Sequence, residues 1–151
     1  QAIVSQLNDT IWVLKKETIL LTAIGDRIKL LINRTKNSFP HIEFNVSEDI
    51  ENDIVFSASH AYHLYRIIQE AINNALKHSK CSRIHIEIVS HENWCVTVED
   101  NGIGIDATAN KQHGGGNGLV NMAARGEEVG WQVQWYSDSY GTKVSIFPTT
   151  N

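Results

Sequence analysis

Glu70, Asn74, Lys77 and His78 follow one another at helical neighbour spacing, which lays all of them along one stripe of a helix. An amide oxygen and a carboxylate are hard ligands suited to Mg²⁺, which keeps several waters and completes its shell from substrate phosphates. A lysine one turn beyond supplies a point charge for those phosphates. Glu70 is placed to orient or deprotonate an attacking group. His78 stands at the helix end, where capping or pairing with the helix dipole is an equally good use for it. Alone, such a stripe is also what the solvated side of any helix looks like.

Two further segments carry chemistry. In Val98-Glu99-Asp100-Asn101-Gly102-Ile103-Gly104-Ile105 a strand pattern runs straight into an acid and two glycines. Asp-Asn-Gly is a common turn. The functional reading is that Asp100, at a strand end, accepts a hydrogen bond from an exocyclic amine while the glycines let a flat ring approach the backbone. Gly114-Gly115-Gly116-Asn117-Gly118-Leu119 then opens a helix. Glycines ahead of a helix N-terminus make a phosphate cradle, because free N–H groups and the positive dipole end face the anion. A flexible loop is the plainer reading, and the two are compatible. No G-x-x-x-x-G-K-[ST] occurs, neither glycine cluster completes G-x-G-x-x-G, and no His/Cys group has zinc spacing.

The elements that must position these residues follow from periodicity. Ile3, Val4, Leu7, Ile11 and Leu14 mark a short amphipathic helix, with Trp12 beside the stripe. Thr18 is expected to cap a second helix with Leu21, Ile24, Ile28, Leu31 and Ile32 inward, ended by Pro40. Residues 41–47 alternate as a half-buried strand, and the acidic stretch Glu48 to Asp53 reads as a surface loop. A third helix is expected over about 58–78, facing the core with Ala61, Leu64, Ile68, Ala71, Ile72 and Ala75. Segments 83–89 and 94–99 alternate around Ser90-His91-Glu92-Asn93, an antiparallel hairpin. A helix from about 119 to 129 and strands near 131–136 and 142–147 complete the chain. Paired strands separated by helices predict an α+β fold: a two-layer sandwich of a mixed, mostly antiparallel sheet with helices on one face.

Composition sets the bounds. A chain of 151 residues with 42% hydrophobic and 20% charged side chains is one ordinary globular domain, neither a disordered tail nor a disulfide miniprotein. Lys+Arg 13 against Asp+Glu 17 gives a net charge of -4, so no electrostatic footprint for direct nucleic-acid binding exists and any anionic ligand must be held locally. Two cysteines, Cys81 and Cys95, form no framework of bridges and suit a reducing compartment. No apolar run approaches the roughly 20 residues of a membrane helix. The chain begins without Met and in what reads as mid-helix, so a longer parent is expected.

The order of motifs is distinctive. Glu70-x-x-x-Asn74-x-x-Lys77-His78, then Asp100-x-Gly102-x-Gly104, then Gly116-x-Gly118-Leu119 with Asn121-Met122 and Arg125, then Gly141-Thr142 before the last strand, resembles the ATP-binding domain of sensor histidine kinases. More narrowly it resembles the nitrate-sensor-like subfamily, with its short nucleotide lid and Gly-Leu-x-x-Met motif; Tyr65-Arg66-Ile67-Ile68-Gln69-Glu70-Ala71 also sits as it does there.

The resemblance implies a Bergerat-type fold with ATP between a helical layer and a lid, here about 106–117. It implies that Asn74 binds Mg²⁺, Lys77 and His78 approach the nucleotide, and Asp100 accepts from the adenine amine. Gly102 and Gly104 would floor the base pocket, Gly116, Gly118 and Leu119 would lie by the phosphates at the lid hinge, and Thr142 would support the pocket through its hydroxyl. Glu70 and Lys77 would assist phosphoryl transfer. Residues 1–15 would end a dimerisation helix and 16–151 form the catalytic domain, a cytoplasmic part of a membrane-anchored sensor. Its partners would be its own dimerisation hairpin, which bears the acceptor histidine, and a response regulator. Of the 7 histidines only His91, followed by Glu92, has the acid neighbour that phosphoacceptors favour, and it falls in a hairpin turn. An anti-sigma-type serine kinase on the same fold and a non-catalytic regulatory module are the competing readings.

Overall fold

The computed structural model describes residues 17–78, 80–104 and 116–149. Along the chain these form β1 (Thr18–Leu20), α1 (Leu21–Thr35), β2 (Glu43–Ile50), β3 (Val55–Ser57), α2 (Ala58–His78), β4 (Arg83–Ser90), β5 (Trp94–Asp100), α3 (Gly116–Glu128), β6 (Trp131–Asp138) and β7 (Gly141–Pro148). The helix expected over 2–14 lies outside the described residues.

The α+β sandwich is as the sequence predicts. Five strands lie in the order β2-β4-β5-β7-β6, and only the β2–β4 pair is parallel. Alternation decides which face is covered: Ile84, Ile86, Ile88, Val96, Val98, Val144 and Ile146 are buried, while the intervening Glu87, Glu99 and Lys143 are exposed. The buried row shares one core with Leu21, Ile24 and Ile28 of α1 and Leu64, Ile68 and Ile72 of α2. Each such side chain contributes about 2 kcal/mol by leaving water. The stripe read for the 58–78 helix is the buried stripe of α2, with Tyr65 and Ile67 added to it.

Helix α1 ends at Thr35 rather than at Pro40, with a 3₁₀ turn over Lys36–Ser38 in between; three further boundaries differ from the sequence reading, each for a physical reason. Thr18 does not cap α1. Residues 18–20 instead form β1, antiparallel to β3, with Ile19 buried opposite Phe56 and the Leu21 N–H bonded to Ile54 O at 2.8 Å. The cap arrives from 31 residues downstream: Asp53 accepts from Thr22 N–H at 3.1 Å and from Thr22 Oγ1 at 2.6 Å. A carboxylate there satisfies an orphan amide and meets the positive helix end. Asp53→Ala is expected to lower stability by about 1 kcal/mol in chemical denaturation, and Asp53→Asn, which keeps an oxygen acceptor, by less.

The acidic stretch is the second difference. Glu48, Asp49 and Ile50 extend β2, where Glu48 turns to the helix side and pairs with Lys29; its Oε2 lies 2.8 Å from where a Gly25 side chain would begin. A charged residue on the inward row is what hid the strand's end. The third is α3, which starts at Gly116 rather than near Leu119, so the glycines form its first turn.

His91 occupies the β4–β5 turn, its ring clamped between Asp49 (Nε2 to Oδ2, 3.0 Å) and Glu51 (Nδ1 to Oε2, 2.8 Å). Hydrogen bonds to Glu51 and Asp49 raise its pKa. An imidazole held by carboxylates at both nitrogens is shifted toward its charged form, in which neither nitrogen keeps a lone pair to accept a phosphoryl group.

Candidate functional site

Helix α2 presents Glu70 and Asn74 half-buried and Lys77 exposed, with His78 as its last residue. The register against α3 fixes their surroundings. His63 lies beside Arg125 (Nδ1 to Nη1, 3.5 Å) and Glu128 (Nε2 to Oε2, 3.9 Å), whereas Glu70, later on α2, shares a cavity of about 330 Å³ with Asn121, earlier on α3. The two helices therefore run antiparallel, which directs the glycine-opened start of α3 toward the Asn74 and Lys77 end of α2. The first turn of α3 leaves its amides without intrahelical partners. Met122, only 1% exposed, seats α3 on the core.

A second group forms where β5 ends. Asp100 is buried on the inward row opposite Thr142, and its Oδ1 accepts from Gly102 N–H at 2.9 Å. Thr142, also buried, shares a 3.0 Å hydrogen bond with the Ser137 hydroxyl. Gly104 (φ +83°) and Gly141 (φ +147°) are required by close backbone approach: a Cβ would stand 2.0 Å from Asp138 O at the first and 2.0 Å from Asp100 O at the second. The space that Gly104 spares is thus taken by the backbone of β6.

Asn101 brings the two groups to the same end of the molecule. Its Oδ1 accepts from the N–H groups of Ser82 (3.0 Å) and Arg83 (2.9 Å), and its Nδ2 donates to Ser82 Oγ at 2.9 Å. The bend after β5 is thereby clipped to the short connection that leaves α2 for β4. Asn101 and Ser137 are not among the expected site residues, whereas Gly141 belongs to the Gly141-Thr142 motif. Asp100-Asn101-Gly102 reads as a turn in the sequence, but nothing local shows that Asn101 bonds a segment 18 and 19 residues away. Leu119 and Gly118 lie in the first turns of α3, and the expected lid falls outside the described residues apart from Gly116 and Asn117, which open that helix.

The donors suit a hard cation bridged to phosphate. Asn74 Nδ2 is fully buried and has no hydrogen-bond partner among the described residues, so this amide is held in place by packing rather than by internal bonding. Among the described residues no three His, Cys, Asp or Glu side chains converge into a ready-made metal cage. Mg²⁺ on Asn74 would therefore draw most of its shell from water and ligand oxygens, as that ion commonly does.

Residues 59–151 match the family of histidine kinase-, DNA gyrase B- and HSP90-like ATPases. The chain belongs to that family. Every candidate site residue, from Glu70 to Thr142, falls inside the matched region. Sensor protein VraS of Staphylococcus saprophyticus is 34% identical over 132 residues, covering 82% of this chain and 35% of VraS, so the chain spans about a third of that relative's length. The signal transduction histidine-protein kinase/phosphatase DegS of Brevibacillus brevis is 41% identical over 63 residues, covering 41% of this chain and 16% of DegS. The catalytic domain of the histidine kinase ThkA superposes with a TM-score of 0.68 at 15% identity, over 87% of this chain and 94% of that one. The fold of this chain is therefore that of histidine kinase catalytic domains. No described helix is long and apolar enough to cross a membrane.

Proposed function

We propose that the chain is the ATP-binding catalytic part of a sensor histidine kinase of the nitrate-sensor-like subfamily, transferring the γ-phosphoryl group of Mg·ATP to a histidine on a dimerisation hairpin. Residues 1–15 are then the end of that hairpin and 16–151 the catalytic domain, acting in a homodimer and passing the phosphoryl group to a response regulator. The parent is a membrane-anchored sensor with this domain in the cytoplasm. Support comes from the family, from relatives named as sensor and kinase, and above all from the antiparallel α2–α3 register, which turns the glycine-opened helix start toward the Asn74 end of α2.

In this reading Asp100 accepts the adenine amine, with Gly102, Gly104 and Thr142 shaping the pocket around it. Lys77 and the first amides of α3, from Gly116 through Gly118 to Leu119, receive the phosphates, and His78 flanks them at the end of α2. Asn74 would hold Mg²⁺, which when bound would supply neutralisation of phosphate charge. Glu70 orients the acceptor imidazole and takes its proton as the N–P bond forms and ADP departs. Phosphoryl transfer is mostly positioning and neutralisation, so this set suffices.

The test is labelling of the full-length parent with γ-labelled ATP. Acid-labile, alkali-stable phosphohistidine on the parent is the expected result. Acid-stable phosphoserine on a partner protein would replace the reading with a serine kinase of the same fold, and no label with nucleotide still bound would leave a regulatory module.

A further inference from the structure

One charged group in the α2–α3 cavity has no part in that scheme. Arg125 is half-buried, and the contact its guanidinium makes is with His63 Nδ1, at 3.5 Å. Burial first, and then Arg125 itself, lower the His63 pKa, so its imidazole is neutral near pH 7 and offers no counter-charge. Glu128, one turn along, leans to the other nitrogen of that ring at 3.9 Å. Arg66, on the facing wall, bonds the Gln69 side-chain oxygen. Among the described residues, no carboxylate stands within ion-pair distance of Arg125. A half-buried guanidinium with only a neutral partner keeps most of its desolvation cost uncompensated.

Its place in the groove says which anion it awaits. Arg125 follows Gly118 by two turns, about 10 Å along the helix axis, so it stands away from the glycine-opened end. Glu70 lines the same cavity from α2. Because Glu70 and Arg125 line one cavity, a segment that enters it to reach Glu70 meets Arg125 as well.

Building on the kinase reading, we propose that Arg125 is a positioning residue that pairs with a carboxylate on the segment presenting the acceptor imidazole to Glu70. The groove between α2 and α3 is then where that segment docks. The partner is an acidic, imidazole-bearing helix or loop of the parent protein. A guanidinium gives planar, two-point recognition of a carboxylate, which fixes orientation as well as distance.

The experiment uses the full-length kinase with Arg125→Gln and Arg125→Lys, measuring ATP affinity by calorimetry, melting temperature, and kcat and KM for autophosphorylation. The expected result for Arg125→Gln is a kcat at least tenfold lower, with KM for ATP, ATP affinity and melting temperature unchanged. Arg125→Lys should recover part of the rate, and rising salt should narrow the gap between wild type and Arg125→Gln by screening the lost pair. Unchanged kcat overturns the proposal. A matching fall in ATP affinity overturns it in favour of contact with nucleotide phosphate, and a matching fall in melting temperature in favour of a packing role. Wild-type protein that binds no ATP or gains no label removes the kinase reading itself, an outcome separable from all of these.

Discussion

Asn74→Ala is expected to remove Mg-dependent nucleotide binding while leaving the fold at least as stable as before. The two halves of that expectation come from the two ends of one amide: Oδ1 is the oxygen that would ligate Mg²⁺, and Nδ2 sets the stability. Nδ2 is buried without a partner, and such a group costs about 1–3 kcal/mol that alanine does not. Alanine is also the better helix former in the interior of α2. The melting temperature should therefore hold or rise. ATP affinity in the presence of Mg²⁺ should fall more than tenfold, or beyond about 1.4 kcal/mol, with a much smaller change when the metal is chelated. Asn74→Asp should also abolish binding, because it sets a negative charge against the phosphates. Calorimetry with and without Mg²⁺ decides; equal affinity in the Asn74→Ala protein would remove Asn74 from the site.

Gly141→Ala should damage both stability and binding, and its cause is steric. The added Cβ would stand 2.0 Å from Asp100 O at a φ of +147°, so β7 must move away from β5 at the Asp100–Thr142 pair. Strained backbone of this kind costs about 1–3 kcal/mol before the clash is counted, and a total loss of about 3–4 kcal/mol in denaturant unfolding is expected. ATP affinity should fall further than the fraction unfolded explains, since Asp100 and the Thr142–Ser137 hydroxyl pair shift with the strands. Gly130→Ala is the control. Its φ is +79° but nothing lies within 4 Å of the new Cβ, so it should cost about 1 kcal/mol and leave nucleotide affinity alone.

The sequence shows clearly whatever is periodic or local. Helix α2 and both strands of the β4–β5 hairpin are legible because their apolar residues repeat at 3.6 or 2 over seven residues or more. The spacing of Glu70, Asn74 and Lys77 and the glycine pairs point to the site before any coordinates do. What stays hidden is set by partners far along the chain. Strands β1 and β3 have three residues each, too short to show alternation, and exist because they pair with one another. The parallel partnership of β2 with β4 leaves no local mark. Asp53 looks like one acid among several until Thr22 is beside it, and Asn101 looks like a turn residue until Ser82 and Arg83 bond to its oxygen.

The small β1–β3 ribbon has a mechanical consequence. Ala58 N–H bonds to Glu17 O at 3.1 Å, and the three strand pairs run from Thr18 opposite Ser57 to Leu20 opposite Val55. The point where the described chain enters is thus bolted to the first turn of the helix that bears Glu70 and Asn74. Tension or torque applied at residue 17 is delivered to the base of a stiff rod rather than absorbed in a slack tether, so a displacement upstream is converted into a displacement of the end that bears Glu70 and Asn74.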